Sequence, residues 1–358
     1  MGDALFLFYF KNKIMKKIVT FGEILLRLTT PNNLRLQQSR YFECNFGGSE
    51  ANVAISIATF GGNVSFVTCL PDNPLGEVCK MKLREHCVDI DDVLTHEGRL
   101  GTYIVEKAAD MRASKVIYDR KESAFALLKP GEIDWEKAFK DAEIFHWSGI
   151  DAALTQNLTD VCLEGIKAAN EMGLTISCDI NYRNNLWKYG KSADEVLAPL
   201  MQYSDILFGS VGEYEKALHL KAPKFKAESA NEKIDFEAFQ NYCKEVSKLM
   251  PRSKYIFICL RNVMSSEHHT IGGVLYSNGT LKTTRIYNIN NVIDCMGVGD
   301  AFVGAMLYAY QNYKEDQDKL DFATAGSVLK NTIVGDYNMV SVEEVEALMK
   351  GGTGDLAR

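Results

Sequence analysis

The chain is predicted to be an α/β protein with a mostly parallel β-sheet covered by helices on both faces and a small antiparallel sheet beside it. Short apolar runs alternate with helical patterns along most of its 358 residues, and such runs are typical of parallel strands buried on both faces. Two segments, 24–45 and 99–125, break this rhythm, because apolar and polar residues alternate within them. No internal repeat or low-complexity tract is present.

The strands of the parallel sheet are predicted from apolar runs rich in β-branched and aromatic residues. They are residues 17–22, 64–70, 142–149, 174–181, 204–210 and 254–260. The two irregular segments contain turn residues and are predicted to form strands with one solvated face. A small sheet of this kind is either a lid over a site or a surface for a second subunit.

Helices are predicted where apolar residues recur at helical spacing. Residues 48–62 carry small residues on one face and end in glycines, residues 74–88 form the next helix, and residues 314–335 return to a helical pattern. The last helix covers residues 341–350, with Ser341 at the N-cap and an acidic residue three positions later.

Composition excludes several classes of protein. Hydrophobic residues make up 46% and charged residues 24%, and the net charge is −7, since 40 Lys and Arg face 47 Asp and Glu. Without a basic block, neither a nucleic acid nor an anionic membrane surface is expected as a partner. The nine cysteines are an odd number and form no CxxC pair. We therefore expect free thiols and a reducing, cytoplasmic location, rather than a disulfide framework or a zinc site.

The ends of the chain are predicted to lie outside one domain that spans residues 15–350. The apolar stretch at residues 4–10 is too short to span a membrane. Residues 1–14 are interpreted as an extension upstream of a natural start at Met15, with a short edge strand or a dimer contact as the alternative. Residues 351–358 are expected to be a flexible tail.

A glycine turn before a long apolar helix is the main candidate for chemistry. Residues 291–307 have the sequence NVIDCMGVGDAFVGAML, in which the first acid, Asp294, is expected to end a strand. Gly297 and Gly299 let a ligand approach the backbone, and the free N–H groups of Gly297, Val298, Gly299 and the next residue would bind an anion. Asp300 would then face that anion and could take a proton from an attacking hydroxyl.

The spacing alone also fits a helix cap, in which Asp300 would only favour the helix dipole. Phe302 excludes a Rossmann GxGxxG motif, and no GK[ST] follows as in a Walker A loop. A second glycine pair, Gly47 and Gly48, precedes the helix that carries Asn52, and this pair could accept a polyhydroxylated ligand. Close packing of the helix on the sheet is the alternative.

Together, the stretches GGSEANVAISIATFGG and DCMGVGDAF resemble two signatures of the ribokinase-like (PfkB) family of carbohydrate kinases. The resemblance extends from about Lys16 to about Lys350. It implies a three-layer α/β/α sandwich with a β-sheet lid, and ATP and Mg²⁺ as cofactors, with room for a monovalent cation such as K⁺. Cys295 and Val298 depart from the usual Thr and Ala, but an anion site built from backbone N–H groups loses nothing by this.

Within the family, the chain is most similar to 2-keto-3-deoxygluconate kinases. By that resemblance the sugar acid is surrounded by Gly48, Asn52, Tyr103, Tyr118, Arg120, Arg183, Asp300 and Asp336. A carboxylate is well suited to guanidinium groups. Alternatively, Arg120 is an exposed lid charge, Arg183 binds phosphate or the start of a helix, and the tyrosines only pack the lid. Arg27 stands where many neutral-sugar kinases have an acid, or is a surface charge.

The nucleotide side is less well marked. Ser210 and Glu213 match an Asn-x-x-Glu motif that positions Mg²⁺ through water, although Glu213 would also suit the helix dipole. By resemblance, the remaining ATP contacts are Leu260, Arg261, Asn262 and Asn331, together with Arg183, Gly297 and Gly299.

The sequence therefore predicts an ATP-dependent kinase that converts 2-keto-3-deoxygluconate to its 6-phosphate with Asp300 as the base. The alternatives are a kinase of another sugar, such as fructose, and a sugar-binding regulator without catalysis. Since the lid in this family often pairs with a second subunit, a homo-oligomer is expected.

Overall fold

The computed structural model describes residues 15–352, so the predicted extension 1–14 and most of the predicted tail lie outside the described residues. In this part of the chain there are fourteen strands and eleven α-helices. The strands are β1 Lys17–Phe21, β2 Leu25–Thr29, β3 Glu43–Gly47, β4 Val64–Pro71, β5 Val93–His96, β6 Thr102–Glu106, β7 Lys115–Asp119, β8 Ala142–Ser148, β9 Thr175–Asp179, β10 Ile206–Ser210, β11 Tyr255–Val263, β12 His269–Ser277, β13 Thr280–Thr283 and β14 Tyr287–Ile289. The helices are α1 Ser49–Thr59, α2 Pro74–Glu85, α3 Trp135–Ala138, α4 Gly149–Ala152, α5 Gln156–Glu171, α6 Ala193–Met201, α7 Val211–Leu218, α8 Phe236–Leu249, α9 Val298–Asn312, α10 Asp316–Lys330 and α11 Val342–Met349.

Ten strands form the large sheet in the order β13-β12-β11-β10-β9-β8-β1-β4-β5, and β14 pairs with β12. The seven strands from β11 to β5 are parallel, and only β12, β13 and β14 add antiparallel pairs. The six predicted parallel strands are all present. The mostly parallel sheet of the prediction is therefore confirmed.

The large sheet is covered by helices on both faces. Along β1, Val19 and Phe21 pack into one buried cluster with α5, α6 and α8, whereas Ile18 packs into a second cluster with α1, α9 and α10. This alternation places successive side chains on opposite faces of the sheet, as the pleat requires. The result is the three-layer α/β/α sandwich that the family resemblance implied.

The two irregular segments form a separate four-stranded sheet in the order β3-β2-β6-β7, which we call the lid sheet. Its two outer pairings are antiparallel, but its central pairing, β2 with β6, is parallel. The prediction of an antiparallel sheet is wrong in this detail. The reason is that β2 and β6 are joined by a long connection through the large sheet, which returns the chain to the lid sheet in the same direction.

No helix within residues 15–352 is long and apolar enough to cross a membrane. All nine cysteines lie in this part of the chain and carry free thiols, and five of them are buried.

Candidate active site

A cleft of about 570 Å³ lies between the lid sheet and the carboxyl ends of the parallel strands. Its floor includes residues that follow β1, β8 and β9, and its roof includes Tyr103 and Tyr118 of the lid sheet. Ligands of open parallel sheets bind at this edge. The cleft is therefore the candidate site of chemistry.

The glycine turn forms one wall of the cleft. Gly297 has φ 75°, in the left-handed region, and a Cβ atom there would lie only 2.0 Å from the carbonyl oxygen of Asp336. A residue with a side chain would have to displace that neighbouring loop. Helix α9 begins at the next residue, so its first N–H groups are free at the turn.

Asp294 does not end a strand, contrary to the prediction, because β14 ends five residues earlier at Ile289. Its carboxylate instead accepts hydrogen bonds from the backbone N–H groups of Met296 (3.0 Å) and Gly335 (3.1 Å). The side chain thus orients the glycine turn.

Asp300 is held by hydrogen bonds to both of its carboxylate oxygens. Ser49 Oγ donates to one oxygen at 3.0 Å, and Asn52 Nδ2 donates to the other at 2.7 Å. Asn181 Nδ2 in turn donates to Ser49 Oγ at 2.6 Å. Burial raises the pKa of Asp300, although these hydrogen bonds and Arg183 oppose the shift. The group is thus oriented and nearer to the range in which a carboxylate accepts a proton.

The diglycine segment also serves the cleft. Gly48 lines it, and a Cβ atom at Gly48 would lie 1.8 Å from the carbonyl oxygen of Glu23. Gly48 is therefore consistent with both interpretations of the glycine pair, close packing and access for a ligand. Ser49 and Asn181 were missed by the sequence analysis, although both lie within or beside stretches that it singled out.

The predicted sugar-binding residues all line this one cleft. They are Gly48, Asn52, Tyr103, Tyr118, Arg120, Arg183 and Asp336, and Asp300 and Gly297 join them. The Tyr103 hydroxyl hydrogen-bonds the Asp336 carboxylate, and the rings of Tyr103 and Tyr118 lie 6.0 Å apart. Arg183 contacts Glu213 at 3.4 Å and keeps about 40% of its side chain exposed, so it can reach a ligand.

Arg120 is not an exposed lid charge, which was the alternative interpretation. Its side chain is buried, and its Nε donates to Glu23 Oε2 at 2.5 Å. Its Nη1 atom is also buried but has no hydrogen-bond partner among the described residues. A buried guanidinium donor without a partner is costly, so an acceptor from a ligand would stabilise it.

Two further acids, Glu50 and Asp151, are fully buried beside Arg120. Their carboxyl oxygens make no hydrogen bond of normal geometry to other described residues. Burial raises the pKa of Glu50 to about 7, and Asp300 adds to the rise. Burial and Glu50 together raise the pKa of Asp151 well above its ordinary value. Burial thus favours the protonated form of both carboxyls, which limits the negative charge on the floor of the cleft.

Glu50→Gln is expected to stabilise the protein at pH 8 and to have little effect near pH 4.5. A carboxyl whose pKa rises on folding favours the folded state only while the unfolded state is protonated. As the pH rises from 4.5 to about 7, the unfolded chain ionises first and folding is penalised. The shift from 4.5 to about 7 corresponds to about 3 to 4 kcal/mol. Urea unfolding at the two pH values measures the difference.

Glu77→Gln is the control for this prediction. Lys80 lowers the pKa of Glu77 on an exposed helix. Glu77→Gln should therefore act in the opposite direction and slightly lower the free energy of unfolding at pH 8. Equal pH dependence in the wild type and Glu50→Gln would show that Glu50 is ionised in the folded state.

Arg27 is not a surface charge. Its side chain is buried and forms ion pairs of 2.8 Å with both Asp294 and Asp336. Its Nε also donates to Thr29 Oγ1 at 2.8 Å. The lid sheet is thus joined through Arg27 to the glycine turn and to the loop that follows α10.

Of the residues predicted for the nucleotide side, Arg183 and Gly297 line the cleft. The others do not: Ser210, Glu213, Leu260, Arg261, Asn262, Gly299 and Asn331. Ser210 and Glu213 form a capping box at the start of α7, which supports the helix-terminus interpretation of Glu213. Leu260 is buried in the core, so its side chain cannot contact a ligand, whereas Arg261 is exposed. Asn262 and Asn331 donate to the backbone carbonyls of Ala227 and Ser327. ATP contacts by these residues stay predictions.

The two remaining turn residues differ in their surroundings. The side chain of Val298 is buried, so only its backbone N–H could serve a ligand. A Cβ atom at Gly299 would meet no other atom within 4 Å, so the space beside it is open. Within residues 15–352, no three His, Cys, Asp or Glu side chains are grouped as a metal site.

The chain is similar to known carbohydrate kinases in both sequence and structure. The family profile described as pfkB family carbohydrate kinase matches residues 15–239. The 2-dehydro-3-deoxygalactonokinase of Haloferax volcanii is 31% identical over 346 residues, covering 96% of this chain and 99% of that protein. Fructokinase-1 of Oryza sativa subsp. japonica is 27% identical over 343 residues, covering 93% of this chain and 97% of that one.

The structural comparison agrees. The crystal structure of 2-dehydro-3-deoxygluconokinase from Thermotoga maritima superposes with a TM-score of 0.85 at 38% identity, over 94% of this chain and 99% of that chain. The predicted resemblance to the PfkB family is therefore confirmed. With the cleft, the lid sheet and these relatives taken together, the chain belongs to the pfkB family and is a carbohydrate kinase.

Proposed function

We propose that the protein phosphorylates a 2-keto-3-deoxy sugar acid with ATP, and that 2-keto-3-deoxygluconate is its best substrate. The observation that carries this proposal is Arg120, a residue of the cleft whose buried Nη1 donor has no hydrogen-bond partner among residues 15–352. A substrate carboxylate would supply the missing acceptor, and the partly exposed Arg183 could provide a second guanidinium. Two of the relatives named above are kinases of such sugar acids.

In the proposed reaction, Asp300 takes the proton of the primary hydroxyl as its oxygen attacks the γ-phosphorus of ATP. The new oxygen–phosphorus bond forms while the bond to the leaving ADP oxygen breaks, and the proton stays on Asp300. The N–H groups at residues 297–300 stabilise the charge on the transferred phosphoryl group. Closure of the lid sheet over the cleft keeps water from taking the place of the sugar hydroxyl.

The residues present fit Mg²⁺ brought in with the nucleotide. Burial raises the pKa of Asp179 well above its ordinary value, and the carboxylates of Glu213 and Asp300 add to the rise. A divalent cation would reduce the repulsion between these carboxylates. Mg²⁺ commonly needs only one or two carboxylates besides phosphate and water. When bound, the ion would neutralise negative charge on the phosphates. Asp179 and Glu213 are the residues that would hold it through water.

A test of the substrate is an assay of ADP release with four sugars: 2-keto-3-deoxygluconate, its C4 epimer 2-keto-3-deoxygalactonate, fructose and ribose. We expect kcat/KM for the gluconate to exceed that for fructose by about 100-fold or more, because a neutral sugar leaves the Arg120 donor unpaired. Preference for fructose would contradict the sugar-acid assignment but not the kinase activity. Sugar binding without ADP release from any substrate would favour the regulator.

Arg183→Gln sharpens this test. It should raise KM for the sugar acid about tenfold or more and leave the low activity on fructose nearly unchanged. Arg99→Gln is a matched control, since Arg99 lies beside the lid sheet but pairs with Asp119 outside the cleft. If both variants behave alike, Arg183 does not contact the substrate carboxylate.

A further inference from the structure

Lys330, the last residue of α10, is fully buried. Its ammonium group donates to the backbone carbonyl of Ile333 at 3.1 Å and lies 3.5 Å from that of Asp294. The first carbonyl belongs to the loop after α10, and the second belongs to the segment that enters the glycine turn. One buried cation therefore joins the two segments that define the turn.

These two segments also fit tightly against each other. The backbone carbonyl of Asn331 accepts a hydrogen bond from the N–H of Ile293 at 2.8 Å, and the carboxylate of Asp294 accepts one from the N–H of Gly335. Gly297 packs so closely on Asp336 that no Cβ atom could fit between them. A small shift of either segment would therefore move the N–H groups of the anion site.

The charges around Lys330 balance. Asp294 and Asp336 are the carboxylates, and Arg27, which pairs with both, is the second cation. Burial and Arg27 lower the pKa of Lys330, whereas Asp294 and Asp336 oppose this. The formal charges of two carboxylates and two cations thus offset one another in this buried group.

Carbonyl oxygens converging on one buried positive charge are also the ligands that a protein offers to K⁺. An ammonium group differs in that it is tethered to the chain and directs its hydrogen bonds. The sequence left room for a free monovalent cation. The place beside the glycine turn where backbone carbonyls converge is occupied by Lys330, so its residues do not fit a free ion.

We propose that Lys330 is a positioning residue whose ammonium group serves as a built-in monovalent cation, holding the glycine turn in the geometry that binds phosphate without added K⁺. The activity part of this inference rests on the proposed phosphoryl transfer. The structural part does not, because it concerns the turn alone.

The test replaces Lys330 by Met, which has a similar length and no charge. In buffer that contains Mg²⁺ and has tetramethylammonium as its only monovalent cation, kcat of Lys330→Met should fall about 10- to 100-fold, since misplaced catalytic groups cost this much. Adding K⁺ or NH₄⁺ should raise kcat of this variant about fivefold or more. It should also raise the melting temperature of the variant by about 3 °C. For the wild type, K⁺ and NH₄⁺ should change kcat and the melting temperature no more than the same concentration of tetramethylammonium chloride does.

Lys319→Met is the matched control. Lys319 is also buried on α10, but it pairs with Asp316 and lies over Tyr255, away from the turn. This variant should lose stability without any response to K⁺. If K⁺ changes neither kcat nor the melting temperature of Lys330→Met, or if K⁺ strongly activates the wild type, the proposal is wrong.

Two provisions keep the outcome decisive. If Lys330→Met does not fold, Lys330→Gln takes its place, and the response of the wild type alone still tests the proposal. If the sugar assignment fails, the melting temperatures with and without K⁺ give an answer that needs no substrate.

Discussion

Asp300→Asn is expected to lower kcat for sugar phosphorylation by on the order of 10³-fold, with little change in KM for the sugar. The amide keeps the shape of the carboxyl group and can still hydrogen-bond Ser49 and Asn52, which now donate to Asp300 at 3.0 and 2.7 Å. Folding and sugar binding should therefore survive, while the group that takes the proton is lost. Single-turnover kinetics with calorimetric sugar binding separates the two effects.

The pH profile adds an independent check. A base must be ionised to act, so the wild-type kcat/KM should rise with pH through the raised pKa of Asp300 and then level off. The residual rate of Asp300→Asn should lack this rise. Asp318→Asn, an exposed change on α10 with the same loss of charge, is the control. A near wild-type rate for Asp300→Asn would exclude Asp300 as the base.

Much of the fold could be predicted from the sequence because the information is local. Each parallel strand is an apolar run of its own, and the last helix carries its capping box, Ser341 with Glu344, within four residues. The information that determines the direction of the pairing between β2 and β6 is not local. It depends on the path that the chain takes through the large sheet, and the alternating pattern of either strand contains no trace of it.

The residues of the cleft also differ in whether local sequence identifies them. Residues that belong to a motif, such as Asp300 and Gly48, were found because their neighbours in sequence identify them. Glu50 and Asp151 were missed, since an acid on a helix is normally exposed. Only the fold buries them beside Arg120, which is itself buried through its pair with Glu23, 97 residues away.

Arg27 illustrates the limit most clearly. It stands on an alternating strand, where a polar residue is expected to face water. Its partners Asp294 and Asp336 lie 267 and 309 residues further along the chain. Together with Lys330, these residues form a neutral group beneath the lid sheet, so the lid and the anion site share one buried electrostatic network.

Arg27→Met is accordingly expected to destabilise the fold by about 3 to 5 kcal/mol, because it leaves buried carboxylates without their cation. Arg99→Met, which breaks an exposed pair with Asp119, should cost below about 1 kcal/mol. Urea unfolding at pH 7 compares the two. A loss no larger than that of Arg99→Met would show that the carboxylates find other partners.

The pH dependence identifies the cause of the loss. Burial already raises the pKa of Asp336, and Arg27 opposes that rise. Without Arg27, the folded-state pKa of Asp336 should rise further, so the penalty grows as the pH increases from about 4. The stability of Arg27→Met should thus approach that of the wild type as the pH falls. The double variant Arg27→Met, Asp336→Asn should recover most of the loss at pH 7, because the charges of Asp294 and Lys330 then offset one another. If the double variant is as unstable as Arg27→Met, the loss comes from the packing of the Arg27 side chain and not from its charge.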